Sequence, residues 1–370
     1  MRIAFDVSPL SHPRSGIGTY LRGSLAGLAE AAAGVHEIIA FAPTSPRGKK
    51  AIPVALDGIP VDLRLRFLPF AHHWRQGWSR LGRPGVERFL GPIDVLHFSD
   101  WMYPPQHGGI RATTVHDLVP LRHPEWVQGR THRMHTAKYR NAAETCDLLF
   151  ANSAFTKREV VELLDVPEER VRVALPGVDG VFSAAGEQAD LGAPYVLTVA
   201  TLEPRKNLAA LVDAHALLAR DDLLLAVVGA EGWGEQPALD RPGIVRLGYV
   251  DDAELARLYR GAAAFAYPSR FEGFGLPVIE AMACGAPVVC SSHPSMDEAC
   301  GAAALRADPE SPEAIAAAIE LALRDCAELV RRGTAQAARF SWLETGRAFL
   351  AGYEAVSDTG ARIGTEMSQD

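Results

Sequence analysis

The sequence lacks a disulfide framework, a membrane span, a surplus of positive charge and a paired-aspartate metal motif, and each absence removes a class of function. Its five cysteines, Cys146, Cys284, Cys290, Cys300 and Cys326, are odd in number and contain no Cys-x-x-Cys. Neither a disulfide scaffold nor a zinc knuckle is indicated, and a reducing compartment fits. No apolar run approaches about 18 residues, so no transmembrane helix is expected. The first residues, Met1-Arg2-Ile3-Ala4-Phe5-Asp6-Val7, enter a strand-like run at once, from which we expect no signal peptide and a cytoplasmic protein. A formal charge of −8 argues against nucleic acid as a partner, which calls for a basic face. A small anion needs only a few local cations and stays open. No Asp-x-Asp occurs, so no metal or other cofactor is expected.

What is present is the composition of a soluble α/β protein. At 370 residues the chain exceeds what one core usually supports, which predicts two domains of roughly 150 to 200 residues. Short β-branched or apolar runs alternate with longer helical stretches, as in parallel sheets built from βαβ units. Ile3 to Val7, Ile38 to Ala42, Leu63 to Leu68, Val95 to Phe98, Thr113 to His116, Leu148 to Ala151 and Val171 to Ala174 read as the strands of a first lobe, residues 1–177. Pro176-Gly177-Val178-Asp179-Gly180 and the polar stretch to Pro194 have linker composition. A second lobe, 178–340, follows with Tyr195 to Ala200, Leu223 to Val228, Ile244 to Leu247, Ala263 to Tyr267 and Pro287 to Cys290. Ala314 to Arg332 predicts one alanine-rich helix and 341–358 another, capped by Ser341. Residues 359–370 read as a flexible tail. Nothing in the pattern fixes an oligomeric state. Trp74, Arg75, Trp78, Arg80, Arg83 and Arg88 form an aromatic and basic stretch that could lie at the inner face of a membrane, or simply a solvated helix with its tryptophans turned inward.

The most informative segment is Phe271-Glu272-Gly273-Phe274-Gly275-Leu276-Pro277-Val278-Ile279-Glu280-Ala281-Met282-Ala283-Cys284-Gly285-Ala286-Pro287. It follows a predicted strand through Pro268-Ser269-Arg270 and orders itself as strand, glycine loop, short helix, strand. Pro277 suits an early helical position and Gly285 a helix stop, so a two-turn helix would aim its amino terminus at the carboxyl ends of the strands, where open α/β sheets bind ligands. Backbone N–H groups of Gly273, Phe274, Gly275 and Leu276, with the helix end, make a site for a diphosphate. Glu280, placed in the first helical turn, could accept from a vicinal diol such as ribose hydroxyls, and Glu272 on the loop from hydroxyls of a sugar beyond the phosphates. Alone, the two acids read equally well as a solvated loop residue and a helix-dipole partner.

The complete run closely resembles the signature of the family 4 glycosyltransferases, and the order of elements agrees over nearly the whole chain. The resemblance implies the GT-B fold, α/β with two Rossmann-like lobes whose parallel sheets face a central cleft, the first lobe being completed by the last helix. It implies Glu272 as a sugar-hydroxyl ligand and Glu280 as the ribose ligand. Thr201-Leu202-Glu203-Pro204-Arg205-Lys206-Asn207 follows the first strand of the second lobe. An Arg fork and a mobile Lys charge there could stabilise a departing diphosphate. The commoner family pattern is Gly-Arg-Leu followed by Lys; this chain has Ala200-Thr201-Leu202 with Arg205 beside Lys206, so the family role passes directly to Lys206 and less directly to Arg205.

In the first lobe, Gly16 and Gly18 lie in a loop that in related enzymes runs under the diphosphate. The dinucleotide fingerprint that would need a third glycine is absent. His116 ends a predicted strand, where an exposed imidazole would face the cleft; similar His-Asp-Leu runs in the family place this histidine against the donor sugar. His97 ends another strand at the same level. As a rule such histidines are satisfied structural residues.

Resemblance further implies transfer with retention. No carboxylate stands out as a nucleophile, so front-face substitution is expected, with the departing phosphate taking the acceptor's proton. His116-Asp117-Leu118-Val119-Pro120 and the Thr201 to Asn207 run look most like bacterial mannosyltransferases of surface polysaccharide assembly. They imply GDP-mannose as the donor and a glycan or lipid-linked acceptor. The competing readings are a nucleotide-sugar epimerase, a hydrolase using Glu272 and Glu280 as acid and base, and a non-catalytic sugar-binding protein.

Overall fold

The computed structural model describes residues 1–12, 16–68, 71–99, 103–127, 129–230, 232 and 237–366. The chain forms two compact units. One contains Met1–Leu121, Gly129–Gly177 and the segment from Ser341 onward; the other contains Arg122–Gln128 and Val178–Phe340. Arg122–Gln128 joins the second unit although its neighbours on both sides lie in the first. The His123 ring stacks on Trp126 at 3.9 Å and meets Phe271 edge-on at 5.4 Å, and apolar contact of this kind outweighs chain order.

The first unit holds a parallel sheet of seven strands: β1 (Arg2–Asp6), β2 (Glu37–Thr44), β3 (Asp62–Phe67), β4 (Val95–Phe98), β5 (Ile110–Val115), β6 (Leu148–Ala151) and β7 (Val171–Val173). They are arranged in the order β3-β2-β1-β4-β5-β6-β7. Central strands such as β4 and β6 are buried along their whole length, which is why they read as continuous apolar runs rather than alternating ones. The carboxyl-terminal helix, Trp342–Glu366, packs on this unit through Phe349 and Tyr353, four apart on one face and both fully buried, each contributing roughly 1.5–3 kcal/mol by burial. It lies against the Gly16–Ala31 helix so closely that a Cβ on Gly27 would stand 1.7 Å from the Trp342 carbonyl oxygen. The helix continues to Glu366 where a flexible tail was expected from 359; residues 367–370 lie outside the described residues.

The second unit repeats the design with β8 (Tyr195–Val199), β9 (Leu224–Val228), β10 (Ile244–Gly248), β11 (Ala264–Tyr267), β12 (Val288–Ser291) and β13 (Leu305–Ala307), in the order β10-β9-β8-β11-β12-β13. The three-residue β13 is too short to carry a period and was not legible in the sequence. The single helix expected over 314–332 is two, Pro312–Arg324 and Cys326–Ala337. The break falls at Asp325 (φ −103°, ψ 30°), a residue type whose side chain competes for backbone groups outside helical geometry. In both sheets the strand order reverses beside the first strand, between β1 and β4 and between β8 and β11. Loops diverge there at the carboxyl ends, leaving room for a ligand.

Candidate active site

The second unit's reversal point is where the charged residues gather. After β8, Pro204–Lys206 make one 3-10 turn, closed by Asn207 in the left-handed region at φ 59°, a conformation asparagine tolerates. The Asn207 side-chain amide donates to the carbonyls of Pro268 and Pro309, at 3.2 and 2.6 Å. The Arg270 amide donates to the Arg205 carbonyl at 2.8 Å. These bonds lace the loop after β8 to the loops after β11 and β13.

That lacing brings Arg205, Lys206 and Glu272 together. Lys206 Nζ donates to Glu272 Oε1 at 2.6 Å and to the Tyr267 hydroxyl at 2.7 Å. Arg205 Nη1 donates to Glu272 Oε2 at 2.8 Å and to the Phe271 carbonyl at 3.1 Å, and Arg205 Nε pairs with Glu203 Oε1 at 2.7 Å. The hydroxyls of Ser269 and Tyr267 also donate to Glu272 Oε1, at 2.6 and 3.0 Å, while the Glu272 amide donates to Ser295 Oγ at 3.1 Å. Burial alone would raise the Glu272 carboxyl, but Arg205 and Lys206 overcome it and hold its pKa at about 2. Burial also lowers the Lys206 ammonium, with Arg205 adding to the effect and Glu272 opposing it. Glu272 therefore stays ionised, and it is engaged on both oxygens rather than presented freely.

Gly275 stands before the Leu276–Ala283 helix at φ 101°, and a Cβ there would meet Met296 Cε at 2.6 Å. Only glycine fits both the angle and the space. First-turn N–H groups follow directly after Gly273, Phe274 and Gly275, giving an anion-binding helix end. Glu280 is the fifth residue of this helix and so lies in its second turn, not the first as expected, because the helix begins at Leu276, one residue before Pro277. Its side chain still leans toward the amino end, as all helical Cβ bonds do. It is 8% exposed, and the buried Tyr259 hydroxyl donates to its Oε2 at 3.4 Å.

In the first unit His116 follows β5 and packs edge-on to Tyr20 at 4.9 Å. It lines a small cavity with Phe5, Ile17, Tyr20, Ser99 and Thr114. The expected exposed imidazole is half-buried, and desolvation lowers its pKa to about 4, leaving a neutral ring able to donate at one nitrogen and accept at the other. His97 is structural: its ring nitrogens meet the Tyr353 hydroxyl at 2.6 Å and Thr114 Oγ1 at 2.9 Å, its ring stacks on Phe5 at 4.3 Å, and burial lowers its pKa to about 3. Gly16 and Gly18 sit in the first turn of the Gly16–Ala31 helix rather than in a loop. Gly16 borders open space, and Pro13, Arg14 and Ser15 before it lie outside the described residues. In the Ala71–Leu81 helix, Trp78 is buried, its Nε1 donates to the Pro84 carbonyl at 2.6 Å, and Trp74 packs against it. The aromatic part of that stretch thus faces the core.

Comparison with known proteins gives the family and the fold. Residues 183–339 match the family described as glycosyl transferases group 1, and residues 14–180 the one described as Glycosyltransferase Family 4. The O-antigen chain mannosyltransferase B of Escherichia coli is 30% identical over 377 residues, spanning 92% of this chain and 96% of that protein. The chain belongs to the family 4 glycosyltransferases. Its fold is GT-B. A glycosyltransferase of Rickettsia africae superposes with a TM-score of 0.69 at 15% identity, covering 96% of this chain and 98% of that one. HepE of Anabaena, solved with UDP-glucose, gives 0.66 at 17% identity, covering 98% and 100%.

Membership in an enzyme family sets aside a non-catalytic sugar-binding protein. Within this glycosyltransferase the sequence pattern missed Glu203, Tyr259, Tyr267, Ser269 and Ser295. Tyr267 and Ser269 were adjacent to the motif, but only the laced loops reveal that their hydroxyls converge on one carboxylate oxygen. Among the described residues no group of three His, Cys, Asp or Glu side chains converges as a metal site, and no helix is long and apolar enough to cross a membrane.

Proposed function

We propose that this glycosyltransferase moves mannose from GDP-mannose to a glycan or lipid-linked acceptor, with retention of configuration and without a metal. The observation that carries the reading is the placement of Arg205 and Lys206 beside Glu272 at the point of strand-order reversal, with the glycine-started Leu276–Ala283 helix following the same loop. Two cations and a helix end suit a leaving diphosphate, whose developing charge they would stabilise in place of a divalent ion. Glu280 takes the ribose hydroxyls, and Glu272 those of the sugar. His116, neutral near pH 7, serves as a hydrogen-bonding sugar ligand rather than a charged one. No side chain is assigned as nucleophile, so the departing phosphate accepts the acceptor's proton as the hydroxyl attacks on the same face. The mannose donor is favoured by likeness to the E. coli mannosyltransferase.

The test is incubation with GDP-mannose, UDP-glucose and other nucleotide sugars in turn, with and without a polysaccharide acceptor and with a chelator present. Acceptor-dependent release of GDP from GDP-mannose alone, undiminished by the chelator, with an α-linked product by NMR, is the expected result. Release without acceptor would indicate hydrolysis, and release from another donor would replace mannose.

A further inference from the structure

We infer that Glu272 is an internal anion for the phosphate site: its carboxylate engages the same two cations that a diphosphate takes over, so donor loading is an exchange of one anion for another. The inference rests on the proposed role of Arg205 and Lys206 toward the diphosphate.

Four charged groups make the cluster. Arg205 and Lys206 supply two positive charges, Glu272 and Glu203 two negative ones, and the ion pairs Arg205–Glu203, Arg205–Glu272 and Lys206–Glu272 are 2.7, 2.8 and 2.6 Å long. The side chains are mostly covered, from 6% exposed at Glu203 to 18% at Arg205. Cations buried to this degree are costly without a partner, so the chain must neutralise them itself before a donor arrives. Glu272 does so with both oxygens. For exchange to follow, the carboxylate must not be stranded when Lys206 turns to a phosphate. Oε1 meets that condition, because the Ser269 and Tyr267 hydroxyls also donate to it, at 2.6 and 3.0 Å, and both are neutral groups that stay in place when the cation leaves. Lys206 also has a short path, since its Nζ already sits 2.7 Å from the Tyr267 hydroxyl. Once the cations pair with phosphate, Glu272 is left on neutral hydroxyls, with lone pairs available to a sugar. One residue thereby screens the cations against small anions and becomes a sugar ligand only when a diphosphate has displaced it.

Affinity and rate should then move in opposite directions, which a general structural defect would not produce. Inorganic pyrophosphate is titrated calorimetrically into the full chain as wild type, Glu272→Gln, Glu203→Gln and Ser269→Ala, beside turnover of the donor. Removing the competing charge in Glu272→Gln should tighten pyrophosphate binding about 5- to 10-fold while lowering turnover at least about 10-fold. Glu203→Gln, which removes the carboxylate paired with Arg205 Nε, should tighten it about 2-fold. Ser269→Ala should weaken it, because the carboxylate then depends more on Lys206. Unchanged or weaker binding in both glutamine variants overturns the inference and leaves the proposed function standing. Absence of pyrophosphate binding in every protein, wild type included, overturns the assignment of the cations to phosphate and the inference with it. Should Glu272→Gln fail to fold, the opposite shifts of Glu203→Gln and Ser269→Ala decide the matter.

Discussion

Lys206 and Glu272, 66 positions apart in sequence, meet at 2.6 Å because the strands that precede them, β8 and β11, are neighbours at the reversal of strand order. Each residue sits on a loop leaving the carboxyl end of its strand, and backbone hydrogen bonds join the two loops. The pair is therefore a product of topology, fixed before any ligand is considered.

Lys206→Ala should slow transfer by about 100-fold, the scale of losing one preorganised charge at a developing anion. The KM for the acceptor should stay within about 2-fold, since uniform binding is untouched. Initial rates of nucleoside diphosphate release at varied acceptor measure both. Wild-type turnover would remove Lys206 from the mechanism.

Glu280→Gln removes the charge from a carboxylate that is 8% exposed and bonded to Tyr259. Donor KM should rise about 10-fold with a smaller loss of kcat, the signature of lost binding to a remote part of the substrate. Tyr259→Phe should follow in the same direction but more weakly. A variant whose nucleotide dissociation constant matched the wild type by calorimetry would break the ribose assignment.

The sequence made the parallel sheets legible because β4, β6, β8 and β11 are buried on both faces and appear as short apolar runs between helical stretches. It made the Leu276–Ala283 helix legible because Pro277 and Gly285 mark its ends. Hydrogen-bond traffic was not legible. Nothing in the spelling of Tyr267 or Ser269 says that their hydroxyls point at Glu272, and nothing in His97 and His116, both at strand ends, separates the fully buried ring held by Tyr353 and Thr114 from the half-buried one beside Tyr20. Those distinctions depend on side chains from distant segments. The last helix supplies one of them, since Tyr353 reaches His97 across 256 positions.

Gly27→Val should selectively destabilise the first unit. The added Cβ would stand 1.7 Å from the Trp342 carbonyl oxygen, and backbone cannot yield as a flexible side chain can, so a cost of about 2 kcal/mol or more is expected. In urea, intrinsic fluorescence should show the first unit losing structure at lower denaturant than in wild type. A curve superimposable on the wild type would mean that the two helices do not pack as closely as these positions require.

Acid should weaken the fold through two desolvated histidines before it reaches the site's carboxylate. His97 and His116 have pKa values lowered from 6.5 to about 3 and about 4, chiefly by desolvation. A depressed folded value means that the neutral form is favoured by folding. Their contribution is complete above about pH 6.5 and is lost progressively as pH falls toward 4 and then 3, with a slope of about 1.4 kcal/mol per pH unit for each proton taken up on unfolding. Glu272, held at about 2 against an ordinary 4.5, has the same sign but acts lower, between about pH 4.5 and 2. The melting temperature should therefore decline from pH 6 to 4. His97→Asn should flatten that decline while lowering the neutral-pH melting temperature, because the bonds to Tyr353 and Thr114 are lost. His116→Ala should leave the neutral-pH melting temperature nearly unchanged and reduce transfer at least about 10-fold. An acid decline identical in wild type and His97→Asn would show that the buried ring does not set it.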